Sequence, residues 1–345
     1  MSLMVSEIYE QPDVIRGLWE KERENITRIT EEIKKRNIRF VLLAARGTSD
    51  HAAIYGKYLL EIKNHLPVGL ADASVYTIYD AQIKMNDVLV IGVSQSGEAT
   101  DVAECLIRSK ANGAFTVSIT NNSQSTMAKI ADCTICCEAG PEKAVAATKT
   151  YTSTLAVFYM LSSILSGDDA VAEKLDALSN DIKRSFSLDD EISVRAERYR
   201  YMKSGISISR GFNYATALEL SLKLAETSYV PMRGFTAADF LHGPIASIHE
   251  GDPCFVIAPA GKIHNAMKES LEKLAGRGAE TIVFSSEDTL LANATVPLKL
   301  ETTVDEDLSP ILYIVPGQLF AYHLSLTRGL DPDKLKGLSK VTLTM

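Results

Sequence analysis

In ALELSLKLAE, Ala217 to Glu226, charged side chains recur among leucines at a spacing that could do chemistry. At roughly 100° per residue, Glu219, Lys223 and Glu226 fall within about 60° of one another on a helix, and leucine and alanine occupy most of the remaining circumference. Two readings are open. One is a Glu-to-Lys pair on a solvated face, contributing only a few tenths of a kcal/mol. The other is a charged stripe lining a polar cleft, where a partly desolvated carboxylate acquires the basicity that proton transfer needs. His242, sixteen residues later in LHGP, and Lys340, in the terminal GLSKVTLTM, are the other candidates. Taken alone, a histidine before Gly-Pro reads as a satisfied loop residue and a terminal lysine as a solvated charge. His51, after RGTSD, reads as a helix-start residue.

A second stretch, VLVIGVSQSGEATDVAE from Val88 to Glu104, passes from an apolar run to Ser94, Gln95, Ser96 and Gly97 just before a helical pattern. Backbone N–H groups at such a helix start, the serine and glutamine donors, and a glycine that admits close approach together suit an anion, most simply a phosphate monoester. There is no P-loop lysine and no GxGxxG, which disfavours a triphosphate or a dinucleotide. The competing reading is that Ser96 caps the helix while Glu98 and Asp101 compensate its dipole.

These residues need elements to position them. Apolar strands and helical patterns alternate: a strand to Ala45, a helix from Ala52 to Ile62, a strand from Val88 to Val93, a helix from Thr100 to Ala111 and a strand from Phe115 to Ile119. That alternation predicts an α/β fold with a parallel sheet covered on both faces. The pattern then repeats. RFVLLAARGTSDHAAIYGKYLLE matches SGISISRGFNYATALELSLKLAE as strand, Arg-Gly, helix, and DVLVIGV finds its counterpart in DPCFVIA, so two copies of one α/β unit are expected. Ile8, Val14, Ile15, Leu18, Ile26, Ile29 and Ile33 predict amphipathic helices over residues 1–35. The acidic stretch from Ser166 to Arg200 predicts connecting helices. The expected division is 1–35 for the helical segment, 36–190 for the first domain with its connecting helices, and 191–345 for the second domain and tail.

Composition narrows the function. A chain of 345 residues, 46% apolar and with a formal net charge of −8, can bury a large core and has no basic run or aromatic platform for nucleic acid. TLAVFYMLSSIL is too short and too serine-rich to span a bilayer, so it predicts a buried helix and no membrane partner. The absence of a signal-peptide pattern and the odd count of five cysteines point to the cytoplasm. In ADCTICCEAG the CxxC has no second pair at ligand spacing and alternates like a strand, so Cys133, Cys136 and Cys137 read as packed thiols, with neither metal nor cofactor expected.

The motifs RGTS, SQSGE, GPEKAVAATKTYT, ALELSLKLAE, LHGPIA and GLSKVTLTM, taken together and in order, resemble tandem SIS (sugar isomerase) domains. They are similar in particular to the isomerase half of glucosamine-6-phosphate synthase and to the related glucosamine-6-phosphate deaminases that lack a glutaminase domain. The resemblance implies two flavodoxin-like αβα sandwiches with the tail folded over the site. It implies that Ser49, Ser94, Gln95 and Ser96, with Thr48, Gly97, Thr100 and Val145 nearby, hold a sugar and its 6-phosphate. It makes Glu226 the base between C1 and C2, supported by Glu219 and Lys223. His242 becomes the ring-opening histidine, contributed to the neighbouring subunit's site in a homodimer, and Lys340 the Schiff-base lysine. Two positions depart from the family pattern: Ala99 stands where SQSGET has threonine, and Ala147 where VAST has serine.

Because the isomerase pattern starts near residue 36, a glutamine-dependent synthase is not expected of the isolated chain. The expected activity is conversion of glucosamine 6-phosphate to fructose 6-phosphate and ammonia. The alternatives are a fructosamine-6-phosphate deglycase, a ketose/aldose phosphate isomerase, or a sugar-phosphate-sensing regulator.

Overall fold

A computed structural model describes residues 2–337, so Lys340 and the tail expected over the site lie outside the described residues. The chain forms two compact units. Residues 13–143 and 149–176 make the first, and residues 2–12, 144–148 and 177–337 make the second.

Helix α1 runs unbroken over Leu3–Lys35, where the sequence suggests more than one helix. Pro12 lies inside it and cannot donate to the carbonyl of Ile8. Gln11 Nε2 donates to that carbonyl at 2.9 Å instead, so the backbone continues with the acceptor satisfied. The first turn is capped from far along the chain. Asp333 accepts from Leu3 N at 2.8 Å, Met4 N at 3.0 Å and Ser2 Oγ at 2.8 Å.

The first unit is built on strands β1 (Phe40–Ala44), β2 (Val68–Leu70), β3 (Val88–Val93), β4 (Phe115–Thr120) and β5 (Cys133–Cys136). They form one parallel sheet in the order β2-β1-β3-β4-β5, with Phe40 facing Val88 and Ala44 facing Gly92 in the β1–β3 register. Its helices are α2 (Thr48–Asn64), α3 (Ala73–Thr77), α4 (Thr100–Ala111), α5 (Thr126–Ile130) and α6 (Lys149–Ser166). Val90, Val102, Leu106 and Met127 pack one side of the sheet. Helix α6 is the apolar, serine-bearing segment and is buried from Lys149 to Ser163. Ser162 Oγ donates to Asn64 Oδ1 at 2.6 Å and Lys63 Nζ donates to Ser163 Oγ at 3.1 Å, so these hydroxyls are satisfied inside the protein. No helix among the described residues is long and apolar enough to cross a membrane.

Helices α7 (Val171–Ser185) and α8 (Asp189–Arg198) fill the acidic stretch, as its composition suggests. The second unit then repeats the first. Strands β6 (Gly205–Ser209), β7 (Met232–Thr236), β8 (Pro253–Ile257), β9 (Glu280–Ser285) and β10 (Val296–Lys299) alternate with α9 (Tyr214–Ser228), α10 (Ala237–Leu241), α11 (His264–Ala275), α12 (Asp288–Leu291) and α13 (Ser309–Thr327). The order β10-β9-β8-β6-β7 is the first sheet's order over again, and every pairing is parallel. Ile208, Val256, Met267 and Val283 form its core. In a sheet of this order, ligands bind outside the carboxyl ends of the strands where the order reverses. That point is β1/β3 in the first unit and β6/β8 in the second.

Candidate active site

In the first unit, β1 delivers Arg46, Gly47, Thr48 and Ser49, and its neighbour β3 delivers Ser94 to Thr100. The two loops are tied together: Arg46 Nε lies 2.7 Å from Oδ2 of Asp101, which is buried on the first turn of α4. Ser94 Oγ accepts from Gly97 N at 3.2 Å and Ser96 Oγ accepts from Glu98 N at 3.2 Å. Each hydroxyl thus takes an amide of its own loop as donor and keeps its own proton to donate to an anion. Gly97 has φ +69°, and any side chain on it would collide with Ser125, so the loop requires glycine there.

The capping alternative for Ser96 is not what forms. The N-cap of α4 is Ala99, with no side-chain cap, and Thr100 opens the helix. Asp101 faces Arg46, and Glu98 turns to the next loop, accepting from Thr126 N at 3.0 Å and Thr126 Oγ1 at 2.6 Å. Those two hydrogen bonds hold the Glu98 carboxyl below its ordinary value. Beside Ser49, burial raises Asp50 despite the opposing charges of His51 and Arg46. His51 sits in the first turn of α2, as its position after RGTSD suggests.

In the second unit, the stripe on α9 is not a solvated face. Glu219 is 0% exposed and Lys223 1%, while Glu226 keeps 22% of its side chain open. Lys223 Nζ lies 3.3 Å from Glu219 Oε1 and 2.6 Å from Glu226 Oε2, in ion-pair contact with the latter though off the line of a good hydrogen bond. Burial opposes the ammonium charge, but the two carboxylates outweigh it and raise Lys223 above the ordinary lysine value. Removing ions from water costs several kcal/mol each, so a buried Glu-Lys-Glu row is poorly explained by stability and suits a site where charge is needed. Of the three, only Glu226 presents a carboxylate that is partly open.

His242 follows α10 directly and is exposed. Thr236 Oγ1 caps α10 through Asp239 N at 3.0 Å, and Gly243 and Pro244 then turn the chain away. Val145 lies in the 144–148 segment, which is held in the second unit by the buried carboxylate of Glu7 on Ala144 N, at 3.2 Å for Oε2, and by Gln318 Nε2 on the Thr148 carbonyl at 3.4 Å. Lys340 is outside the described residues.

Arg46, Thr126 and Glu7 went unread as positioning residues in the sequence, and Glu98 and Asp101 were read only as compensating the helix dipole. The only signal for the contact between Arg46 and Asp101 was an Arg-Gly after one strand and an acid one turn into the helix after its neighbour. Among the described residues, one trio of potential metal ligands, Glu22, Cys136 and Glu138, comes within 4.8 Å. Its members are engaged: Asn25 donates to Glu22 at 2.6 Å and Lys21 pairs with Glu138 at 3.3 Å. Burial also pushes the Cys136 thiol up to about 11, which keeps it protonated.

The doubled fold has a match. A model of the SIS domain matches residues 33–164 and again residues 203–328. The chain belongs to the SIS domain family. Glutamine--fructose-6-phosphate aminotransferase [isomerizing] of Thermococcus kodakarensis is 37% identical over 347 residues, covering 98% of this chain but 57% of that protein. The corresponding protein of Methanothermobacter thermautotrophicus is 37% identical over 339 residues, with 98% of this chain and 56% of that protein covered. This SIS chain therefore spans little more than half the length of the curated relatives it matches. Among solved structures, the C-terminal domain of glucosamine-fructose-6-phosphate aminotransferase from Francisella tularensis aligns with a TM-score of 0.89 at 26% identity, covering 97% of this chain and 98% of that one. Glucosamine-6-phosphate deaminase from Thermotoga maritima aligns at 0.79 and 20% identity over 99% and 100%, a likeness of fold.

Proposed function

We propose that this SIS chain is a phosphosugar isomerase that acts on an amino-sugar 6-phosphate in the cytoplasm, converting glucosamine 6-phosphate to fructose 6-phosphate and ammonia. The observation that carries the reading is the buried Glu219–Lys223–Glu226 row with its one partly open carboxylate.

On this reading Ser94, Gln95, Ser96 and Gly97, with Thr48, Ser49 and Thr100, take the 6-phosphate, and Val145 borders the sugar. His242 moves a proton from the C1 hydroxyl to the ring oxygen, opening the ring to the C1 aldehyde. Glu226 takes the C2 proton as O1 gains one, leaving a C1–C2 enolamine, and returns its proton to C1 as the amine gives one up, which yields a C2 imine. Water adds at C2 and ammonia leaves, giving the ketose phosphate. Lys340 is the amine that exchanges covalently with that ketose carbon. Lys223 fixes the Glu226 carboxylate through its ammonium, and Glu219 balances the charge. The exposure of His242 supports a homodimer in which the histidine serves the partner's site.

Ala99 favours a second reading of the substrate: as a helix cap with no side-chain donor it removes one hydroxyl from the phosphate cradle. A fructosamine-6-phosphate deglycase or a ketose/aldose phosphate isomerase would use the same base.

A coupled ammonia-release assay over amino-sugar phosphates tests the proposal. Glucosamine 6-phosphate should release ammonia, unphosphorylated glucosamine should react poorly, and Glu226→Gln should be inactive with both. Ammonia from fructosamine 6-phosphate alone would select the deglycase. Release that survives Glu226→Gln would overturn the assignment of the base.

A further inference from the structure

The second unit carries its own copy of the phosphate loop, and the two can be laid side by side residue by residue. Four residues beyond the end of β3 stands Gly97, with φ +69°, and four beyond the end of β8 stands Gly261, with φ +132°. The intervening Ser94, Gln95 and Ser96 become Ala258, Pro259 and Ala260. Every side-chain donor is gone, and proline removes one amide as well. The companion loop changes in the same sense. Arg46-Gly47-Thr48-Ser49 becomes Arg210-Gly211-Phe212-Asn213, with the glycine at φ +55° in one and +61° in the other. Asn213, in the place of Ser49, is buried and donates to Ser309 Oγ at 2.6 Å.

The second loop nevertheless holds an anion. Glu306 Oε2 accepts from Lys262 N at 2.7 Å, at the position equivalent to Glu98. Its carboxylate lies against Gly261 so closely that a side chain there would collide with it, and Oε1 stands 3.9 Å from where a Cβ at Gly211 would be. The Glu306 carbonyl is fixed in turn, accepting from Ser309 Oγ at 2.6 Å as α13 begins. The Lys262 amide, just ahead of the twelve-residue α11, faces a negative group here as it would face a phosphate.

We propose that Glu306 is a built-in anion occupying the second unit's disarmed copy of the phosphate loop, and that its removal opens a second, weaker site for inorganic phosphate. This rests on the reading of Ser94 to Gly97 as the phosphate cradle. On this proposal a chain with two such loops takes one sugar phosphate, because one loop keeps its hydroxyls and the other keeps a carboxylate.

Equilibrium dialysis of the full chain with radiolabelled inorganic phosphate tests it. Wild type should bind one equivalent, and Ser96→Ala should weaken that equivalent at least tenfold. Glu306→Ala should add a second equivalent that persists when combined with Ser96→Ala. Glu306→Gln, which keeps the side-chain volume and is the safer fold, should admit the second equivalent more weakly than Ala. Folded Glu306→Ala and Glu306→Gln chains that bind no more phosphate than wild type would overturn the proposal, as would two equivalents on wild type. Loss of the wild-type equivalent's dependence on Ser96, with the Glu306 gain intact, would instead sink the reading of the first loop.

Discussion

Replacing Lys223 by methionine roughly keeps the length and apolar volume of the side chain and removes its charge and N–H donors. In the folded protein that charge sits 3.3 Å from Glu219, which is 0% exposed, and 2.6 Å from Glu226. Lys223→Met therefore takes a countercharge away from a carboxylate with no exposed surface. Removing one partner of a buried pair typically costs about 3–5 kcal/mol, whereas an exposed helical pair is worth about 0.3–0.5. At about 1.4 kcal/mol per tenfold, the loss is roughly two to four orders of magnitude in the folding equilibrium. Urea denaturation of the full chain at neutral pH, followed by circular dichroism, measures it directly. Adding Glu219→Gln to Lys223→Met removes the uncompensated charge of the row, so the double variant should recover much of the lost stability. A loss below about 1 kcal/mol for Lys223→Met would show that the row behaves as a solvated pair. A double variant no more stable than the single would show that the damage is not electrostatic.

The pH dependence follows from the sign of the shift. Lys223 is raised above its ordinary 10.5 because the two carboxylates outweigh burial. A group raised on folding contributes fully below its unfolded value and loses that contribution as pH climbs through the folded one. The stability difference between wild type and Lys223→Met should be flat through neutral pH and shrink only in strong alkali.

Ser96→Ala removes a donor to both ground and transition states, so KM for the sugar phosphate should rise more than kcat falls; an unchanged KM would remove the cradle assignment. Mixing His242→Ala with Glu226→Gln chains should restore activity through heterodimers that contain one intact site, and failure after confirmed subunit exchange would mean that sites are completed within one chain. Borohydride added with fructose 6-phosphate should fix the sugar on Lys340, and Lys340→Arg should abolish the labelling because guanidinium forms no such imine; labelling elsewhere would discard the covalent step.

What could be read in advance was local. Val88 to Val93 is a wholly apolar strand ending in donors, and Thr100 to Ala111 has a helical period, so both elements fall where the residues place them. The shared Arg-Gly motif and the Asp-led strands announced two copies of one sheet, and the copies have the same strand order. Short elements escaped because three residues, Val68 to Leu70, cannot carry a period. Residues 3–35 form one helix where several were expected, and Pro12 does not interrupt it because Gln11 supplies the donor that proline lacks.

At the site, the angular arithmetic put Glu219, Lys223 and Glu226 on one side of α9 but could not say whether water reached them. That depends on elements distant in sequence. For the same reason Arg46 and Asp101, on different strands' loops, gave no sign of their contact. The serine hydroxyls were legible as donors, while their engagement by amides of their own loop was not, since it follows from the backbone turn that Gly97 permits.

The cap that Asp333 places on the first turn of α1 also sets an order of events. Residues 2–12 belong to the same compact unit as residues 177–337, so the opening turns of α1 pack with residues that are synthesised long after them. Met4, from whose amide Asp333 accepts, and Ile8 are buried in the folded chain, and that arrangement can be completed only once Asp333 has been added. A nascent chain halted after α6 would thus hold residues 13–35 of α1 in the first unit while residues 2–12 lacked their partners, leaving apolar surface of the kind a holdase chaperone takes.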